Sequence, residues 1–312
     1  MKKWRRMLGV FLSLVFSIFI IRPALAENST ITISPNLDKF EFETNEEIKR
    51  ELKIKNGNEE NSTIVVFAAP YNIKNENYDI DFSADSAEPS SEICASIIFK
   101  DVDNKYKNQL SLELNPNEEK TIKYKINFEN SINSEQRCAI FAQKTIEKTI
   151  EKTLDQNSET RTYRVVSLVL ASPKNSESKT EIKNQTSPSG FYNGDLYSEL
   201  SLENTGKKHS EIETTFRVKS LFNKTLYEVS NKNLIFPEKP RTINLKWDKS
   251  PNFGLYKLET TVSIGGETAE NTSIVFLLPF PPELLPIFLL TFIIFMLIIK
   301  TVNKKSVDTL RK

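Results

Sequence analysis

The chain of 312 residues contains one histidine and two cysteines, so few kinds of catalytic or metal site can be built from it. His209 lies in a charged turn, Gly206 to Ser210, and the local sequence indicates no partner for general acid–base catalysis. A Ser-His-Asp or Cys-His arrangement would have to use this histidine, and zinc sites made of histidine pairs are excluded. We therefore expect a solvent-exposed loop histidine, with no catalytic residue, no metal and no cofactor.

Acidic pairs and strand aromatics are the other side chains that could do chemistry. Adjacent glutamates such as Glu46-Glu47 could act as glycosidase carboxylates across a cleft, but solvated turn charges are the simpler interpretation. Trp247, Phe253 and Tyr256 could stack on sugar rings or fill a core. We expect Trp247 in a core and leave Phe253 open between the two roles. The sequence therefore assigns no binding residue.

The amino terminus has the composition of an export signal. Residues 1 to 6 carry four basic side chains, and Leu8 to Ile21 is apolar apart from one glycine and two serines. The small-x-small triplet Ala24-Leu25-Ala26 predicts cleavage between Ala26 and Glu27, so we assign 1–26 to a signal peptide. An uncleaved anchor is the alternative, but the apolar run is shorter than the ~20 residues that span a bilayer.

Export changes the interpretation of the cysteines. Cys94 and Cys138 are 44 residues apart, and both would lie outside the reducing cytosol, where a single pair can oxidise. A disulfide between them would restrict the unfolded chain by about 4 kcal/mol in the chain-entropy model. The pair is therefore a disulfide candidate, and two buried free thiols are the alternative.

The carboxyl terminus predicts a membrane anchor. Leu284 to Ile299 is almost purely apolar, and five basic residues follow it between Lys300 and Lys312. We assign 276–299 to a transmembrane helix and 300–312 to a basic cytoplasmic tail. The prediction is a single-pass protein of the cell membrane with its amino-terminal ectodomain outside. A buried helix of a soluble protein is the alternative.

The charge of the exported part excludes one class of partner. Without the five basic residues at each end and Asp308, the chain keeps 32 basic and 40 acidic residues, a net charge of −8. An acidic exterior gives no electrostatic reason to bind nucleic acid, because the phosphate backbone attracts basic surfaces. We therefore predict no nucleic-acid partner.

Between the two ends, apolar and polar residues alternate as they do in strands with one buried and one wet face. The alternation is clearest from Ile122 to Phe128 and from Ile243 to Trp247, and turn-forming clusters separate such runs. The pattern predicts an all-β fold, with two immunoglobulin-like antiparallel β-sandwich domains before the helix. A polar stretch that begins at Ser172 sets their limits at 27–172 and 173–275.

One segment leaves two interpretations open. Lys144 to Leu154 reads KTIEKTIEKTL, in which apolar residues recur every fourth position beside paired charges. This spacing is typical of an amphipathic helical insert. Threonine and isoleucine also favour strands, so a long hairpin arm is equally compatible with the pattern.

The order of features resembles the bacterial WxL-interacting proteins, surface proteins with an export signal, two immunoglobulin-like domains, one membrane helix and a short basic tail. In the first predicted domain the matching stretches are Ser34-Pro35, Ile48 to Asn56, Asn75 to Tyr78, Leu112 to Lys123 and Arg161 to Ala171. In the second they are Phe236 to Arg241, Leu245 to Trp247 and Pro251 to Tyr256. The resemblance implies that 27–172 binds peptidoglycan and that 173–275 binds a partner protein.

We therefore predict a non-enzymatic, membrane-anchored bacterial cell-surface protein. Through its two domains it would bind a cell-wall polymer such as peptidoglycan, a surface-protein partner, or both, as in adhesion. A wall-active hydrolase is one alternative, and a pilus-chaperone-like assembly factor is the other. The anchor argues against the chaperone, since pilus chaperones must diffuse.

Overall fold

The structure is a computed structural model that describes residues 31–82, 89–101, 103–128, 132–152 and 155–310. The predicted signal peptide and its cleavage site at Ala26 and Glu27 lie outside these residues. The described chain is mostly β-sheet and ends in a long helix, which confirms the all-β class and the apolar carboxyl-terminal helix.

The first part of the chain forms two facing sheets, which we call the first sheet pair. Its strands are β1 (Ile31–Ser34), β2 (Leu37–Phe42), β3 (Glu47–Asn56), β4 (Ser62–Ala69), β5 (Asn72–Ile73), β6 (Ile80–Asp81), β7 (Ile97–Lys100), β8 (Tyr106–Lys107), β9 (Gln109–Leu114), β10 (Glu119–Asn127), β11 (Gln136–Lys152) and β12 (Asp155–Pro173). One sheet has the order β1-β3-β10-β7-β8 and the other β2-β12-β11-β4-β9, while β5 and β6 pair with each other.

Apolar side chains from both sheets form one buried cluster between them. Burial alternates strictly along β9 and through most of β10, because successive residues of a strand point to opposite faces. The chain changes sheets at Ser34-Pro35: β1 pairs with β3, and β2 pairs in parallel with the end of β12. The two sheets are therefore joined at one edge by the same segment.

The second sheet pair follows in sequence. Its strands are β13 (Thr180–Thr186), β14 (Gly190–Tyr192), β15 (Leu196–Asn204), β16 (Ser210–Ser220), β17 (Thr225–Ile235), β18 (Arg241–Trp247), β19 (Gly254–Ile264) and β20 (Glu267–Leu277). The sheet orders are β13-β15-β18 and β14-β20-β19-β16-β17, and a separate apolar cluster fills the space between them.

The segment that joins the sheet pairs packs on the turn after β15. The N–H of Thr205 donates to the carbonyl of Lys179, and the N–H of Lys207 donates to the carbonyl of Glu177, both at 2.8 Å. A Cβ on Gly206 would lie 2.4 Å from the carbonyl oxygen of Glu177, so this close approach requires glycine.

Each sheet pair contains one fully buried asparagine at the end of an early strand, Asn56 on β3 and Asn204 on β15. The side-chain amide of Asn204 donates to the carbonyls of Lys208 and Ile235, and its oxygen accepts from the backbone N–H groups of Lys179 and Gly206. The amide therefore satisfies backbone groups that the strands leave unpaired.

Replacing Asn204 by alanine is expected to lower the free energy of unfolding by about 2 kcal/mol, because buried backbone groups lose their partners. Urea unfolding of the two proteins measures the difference. The matched control is Asn244→Ala, which truncates an exposed asparagine on β18 and should change the midpoint little. Equal midpoints for the two variants would contradict a stabilising role for the hydrogen bonds of Asn204.

The helix α1 (Leu285–Leu310) follows a 3₁₀ turn at Pro282–Leu284. Residues 282–300 are long and apolar enough to cross a membrane, and none of that stretch is buried against the rest of the protein. The sequence predicted that the helix begins at residue 276. It begins at Leu285, because Phe276 and Leu277 complete β20. Cross-strand pairing extends the sheet into the apolar run that precedes the helix.

The two cysteines are joined in a disulfide. Cys94 lies in the 3₁₀ helix Pro89–Ser96, and Cys138 is a fully buried residue of β11 inside the first apolar cluster. Their Cα atoms are 5.4 Å apart. The bridge fastens the irregular segment before β7 to the centre of the second sheet.

Candidate functional site

The most unusual feature of the first sheet pair is the hairpin of β11 and β12. The two strands pair continuously from Gln136 with Ala171 to Lys152 with Asp155. The neighbouring strands cover only its base, because β4 pairs with Ala139–Gln143 and β2 pairs with Leu168–Pro173. Within the described residues the remainder of each outer edge has no strand partner. The hairpin therefore extends beyond the sheet by about 30 Å.

This arrangement decides between the two interpretations of Lys144 to Leu154, a segment whose last two residues lie outside the described ones. Lys144 to Lys152 is the distal part of β11, so the segment is a hairpin arm and not a helical insert. The threonine and isoleucine residues are compatible with a strand, and cross-strand pairing overrides the helical spacing of the apolar side chains.

The pairing of β12 with β2 shows which residues of β12 direct their backbone N–H and C=O groups to the open edge. The N–H of Leu168 donates to the carbonyl of Asn36 on the β2 side, at 2.9 Å. Backbone groups of alternate residues in a strand point to the same side, so Val166, Arg164 and Thr162 direct their N–H and C=O groups to this edge as well. Among the described residues no backbone partner lies on this side of β12 before Leu168, so these groups can accept an added strand.

Side chains next to the open edge are apolar on both faces of the sheet. Val165 packs against the first apolar cluster, while Val166 and Leu168 pack on the opposite face with Phe67 and Phe141. The guanidinium of Arg164 lies over the Phe141 ring, 5.3 Å from its centroid. An added strand would therefore extend both faces of the sheet with apolar neighbours.

The structure corrects the prediction for His209, whose side chain is only 9% exposed and lies between the sheet pairs and not in a solvated loop. Its Nδ1 contacts the carboxyl group of Glu135, and its backbone N–H donates to the same oxygen at 2.9 Å. Ser172 donates a third hydrogen bond to that oxygen, also at 2.9 Å. The charged turn is folded inward because Glu135, far away in sequence, supplies an acceptor. Nothing in the local sequence indicated this partner.

Tyr78 makes a second contact between the sheet pairs. Its hydroxyl donates to the carbonyl of Lys239 and accepts from the N–H of Phe236. Its ring stacks on that of Phe236 at 5.4 Å, and the guanidinium of Arg241 lies 4.4 Å from its centroid. Burial raises the pKa of Tyr78, so the hydroxyl stays protonated and can donate. These contacts hold the two sheet pairs together on one side.

The three aromatic residues singled out in the sequence have different environments. Tyr256 is buried and donates to the carbonyl of Phe253. Trp247 is half-buried and stacks on Tyr227, with ring centroids 5.3 Å apart, so its role is in packing. Phe253 is exposed at the end of a sheet. The three do not form one sugar-stacking surface.

The acidic residues named in the sequence analysis, where the structure describes them, make ion pairs and turn contacts. Glu47 makes ion pairs with Lys49 and Lys125, and the Glu118 carboxylate accepts from the N–H of Asn115 in a turn. In the part of the chain that the structure describes, no three His, Cys, Asp or Glu side chains group in a way that could hold a metal ion.

No protein-family model and no curated protein matches this chain. The solved structures that match include a chaperone–tip adhesin complex of CFA/I fimbriae, at 10% identity over 78% of this chain and 99% of that chain, with a TM-score of 0.39. The class 5 fimbriae chaperone CfaA matches at 11% identity over 80% and 100% of the two chains, with a TM-score of 0.40. The CsuC–CsuE pre-assembly complex of Acinetobacter baumannii Csu pili matches at 12% identity over 79% and 98%, with a TM-score of 0.36.

These matches contradict the prediction of a membrane-anchored surface protein that binds the cell wall, because the structures they name are chaperones of fimbriae and pili. Their names correspond to the alternative, a pilus-chaperone-like assembly factor, and none of them names peptidoglycan. The resemblance to WxL-interacting proteins is not tested by them and stays a prediction. Alternating strands are common to all these proteins, so the sequence pattern could not separate them.

Proposed function

We propose that this protein is a non-enzymatic assembly factor that binds an extended segment of another protein along the open edge of β12. The observation that carries the proposal is the edge itself: β12 runs from Asp155 to Pro173, but β2 covers only Leu168–Pro173. An uncovered edge exposes a row of backbone donors and acceptors, which an added strand can satisfy. Subunits of a surface structure, such as the adhesins named in the matching complexes, are the partners that we propose.

The sequence of the hairpin arm favours binding of a specific partner over self-association. From Lys144 to Lys152, Thr-Ile pairs are separated by Glu-Lys pairs, and charges at an edge disfavour indiscriminate pairing. Towards the base, valines flank the edge on both faces, where a bound strand can bury its own apolar side chains. Backbone bonds would supply affinity, and these apolar contacts would supply selectivity.

We also propose that the two sheet pairs are immunoglobulin-like domains divided near residue 172, and that α1 anchors them to a membrane. The apolar stretch 282–300 supports the anchor, and the basic residues after it favour a cytoplasmic tail. The sheet pairs would then lie outside the membrane. The anchor confines the factor to the membrane surface, where its partner emerges, so diffusion is not required.

Crosslinking tests the open edge directly. The full chain is produced in its source cell with a photoreactive benzoylphenylalanine at Thr162, whose side chain is exposed beside the edge. Illumination is expected to yield a crosslinked partner, and mass spectrometry locates the partner's segment. A second substitution, Arg164→Pro, removes one outward N–H without touching the bonds to β11, and should reduce crosslinking about tenfold or more.

Arg164→Ala is the matched control, because it loses the same guanidinium contacts to Gln143 and Phe141 but keeps the backbone N–H. It should retain the crosslink. Both variants are compared in thermal unfolding, to show that the proline leaves the hairpin folded. Equal loss of the crosslink in both variants would assign binding to the side chain and overturn strand addition, as would no crosslink in the parent.

A further inference from the structure

The end of the second sheet pair that lies next to α1 carries an unusual set of exposed apolar side chains. Leu221 and Phe222 occupy the turn between β16 and β17 and are 62% and 93% exposed. Phe253, just before β19, and Phe191 on β14 are 61% and 60% exposed. Both rings contact that of Phe276, at 5.4 and 5.7 Å between centroids. We call these five residues the apolar rim.

The strand register places the whole rim at one end of one sheet. Gly254 and Tyr192 both pair with Leu277, the last residue of β20, so Phe253 and Phe191 lie at that end. Ser220, the last residue of β16, pairs with Tyr256, which brings the Leu221-Phe222 turn to the same end. Residues that are distant in sequence therefore converge where the chain leaves the sheet for α1.

The connection from the sheet to α1 is short and restrained. The N–H of Leu278 donates to the carbonyl of Tyr192 at 2.8 Å, and the side-chain amide of Asn193 donates to the carbonyl of Leu278 at 2.7 Å. Pro279-Phe280-Pro281 then leads to the 3₁₀ turn at Pro282–Leu284, a distance of at most about 14 Å. Two prolines limit its conformations. A membrane that contains α1 must lie close to the apolar rim.

We propose that the apolar rim lies in the interfacial layer of the bilayer that holds α1, so that the second sheet pair stands on the membrane in one fixed orientation. Exposed apolar side chains gain free energy when they leave water, and aromatic residues are common at bilayer interfaces. The charges in the turns near the rim are mixed: Lys224 follows β16 and Asp195 follows β14, while Asp248 and Lys249 share the turn after β18. Attachment therefore depends on apolar contact and not on anionic lipid.

A fixed orientation would serve the proposed function, because it would hold the open edge of β12 at a constant height above the membrane. The inference rests on the membrane anchor of that proposal. The partner for the rim is the lipid surface itself, which the attached helix brings within reach. A protein partner at the rim is the competing outcome of the test.

Tryptophan quenching in brominated lipid measures the position of the rim. The full chain, with Trp4→Phe and Trp247→Phe as background, is reconstituted in vesicles of dibrominated phosphatidylcholine. Single tryptophans are introduced by Phe222→Trp and Phe253→Trp, and by Thr268→Trp as the matched control. Thr268 is exposed near the opposite end of β20, about 30 Å away. A fourth variant, Phe292→Trp, reports whether α1 is inserted.

We expect quenching of the tryptophans at 222 and 253 to exceed that at 268 by about twofold or more, because an interfacial side chain reaches ~5–10 Å into the headgroup and acyl boundary. The tryptophan at 292 should be quenched most. If the tryptophan at 292 is quenched, but those at 222 and 253 are quenched no more than the one at 268, the membrane anchor is supported and the proposed rim contact is wrong. If the tryptophan at 292 is not quenched, the proposed membrane anchor and the proposed rim contact are both wrong. Thermal unfolding of each variant shows that the fold is kept.

Discussion

Glu135→Ala is expected to lower the free energy of unfolding by about 3–5 kcal/mol, because it removes a fully buried carboxyl group that contacts three donors. The Glu135 side chain is fully buried, and its Oε2 contacts the ring and the backbone N–H of His209 and the hydroxyl of Ser172. Glu135 and Ser172 belong to the first sheet pair and His209 to the second. Urea unfolding should show a midpoint lower by about 2 M.

The same substitution should separate the unfolding of the two sheet pairs. In a Trp4→Phe background the fluorescence of Trp247 reports on the second pair, while far-ultraviolet circular dichroism reports on both. We expect the two signals to change together in the parent and at different urea concentrations in the variant, because the Glu135 contact couples the cores. Glu113→Ala, on the exposed face of β9, is the control and should keep one transition. A variant that unfolds like the parent would contradict the coupling role of Glu135.

Removal of the disulfide is expected to destabilise the first sheet pair by about 4 kcal/mol, from the entropy that a closed loop of this length takes from the unfolded chain. The sequence separation of Cys94 and Cys138 is 44 residues. Alanine at both positions is the suitable change, since serine would bury an unpaired hydroxyl beside the core. The measurement is urea unfolding, followed by circular dichroism.

Reductant distinguishes loss of the bridge from loss of packing. Dithiothreitol should lower the midpoint of the parent towards that of the Cys94→Ala, Cys138→Ala double variant, and should leave the variant itself unchanged. A parent whose midpoint does not respond to reductant, and whose thiols react with a thiol reagent before unfolding, would show that the cysteines are free. In that case the alternative of two buried thiols would hold.

Several features of the fold could be predicted because they depend on local sequence. The period-two alternation in segments such as Ile122 to Phe128 matches β10, since the side-chain period of a strand is a property of the backbone. The length of the apolar run near the carboxyl end predicts a helix that can span a membrane. The start of that helix was predicted too early, because strand pairing of β20 with β19 decides where the sheet ends.

The candidate site could be predicted only in part. The sequence indicated a long strand from Arg161 to Ala171, and β12 contains it. It did not indicate that one side of β12 is open, since strand neighbours are set by pairing between distant segments. His209 was misplaced for the same reason: its turn is charged and short-range rules favour exposure, but Glu135 folds against it from another part of the chain.

The sequence by itself determined the types of element, the apolar ends and the spacing of the two cysteines, because hydropathy and periodicity act over a few neighbouring residues. Only the tertiary structure decided which strand edge is uncovered, which carboxyl group is buried between the sheet pairs, and which phenylalanines meet beside α1. Each of these depends on strand register and sheet order, and these follow from contacts between residues far apart in the chain.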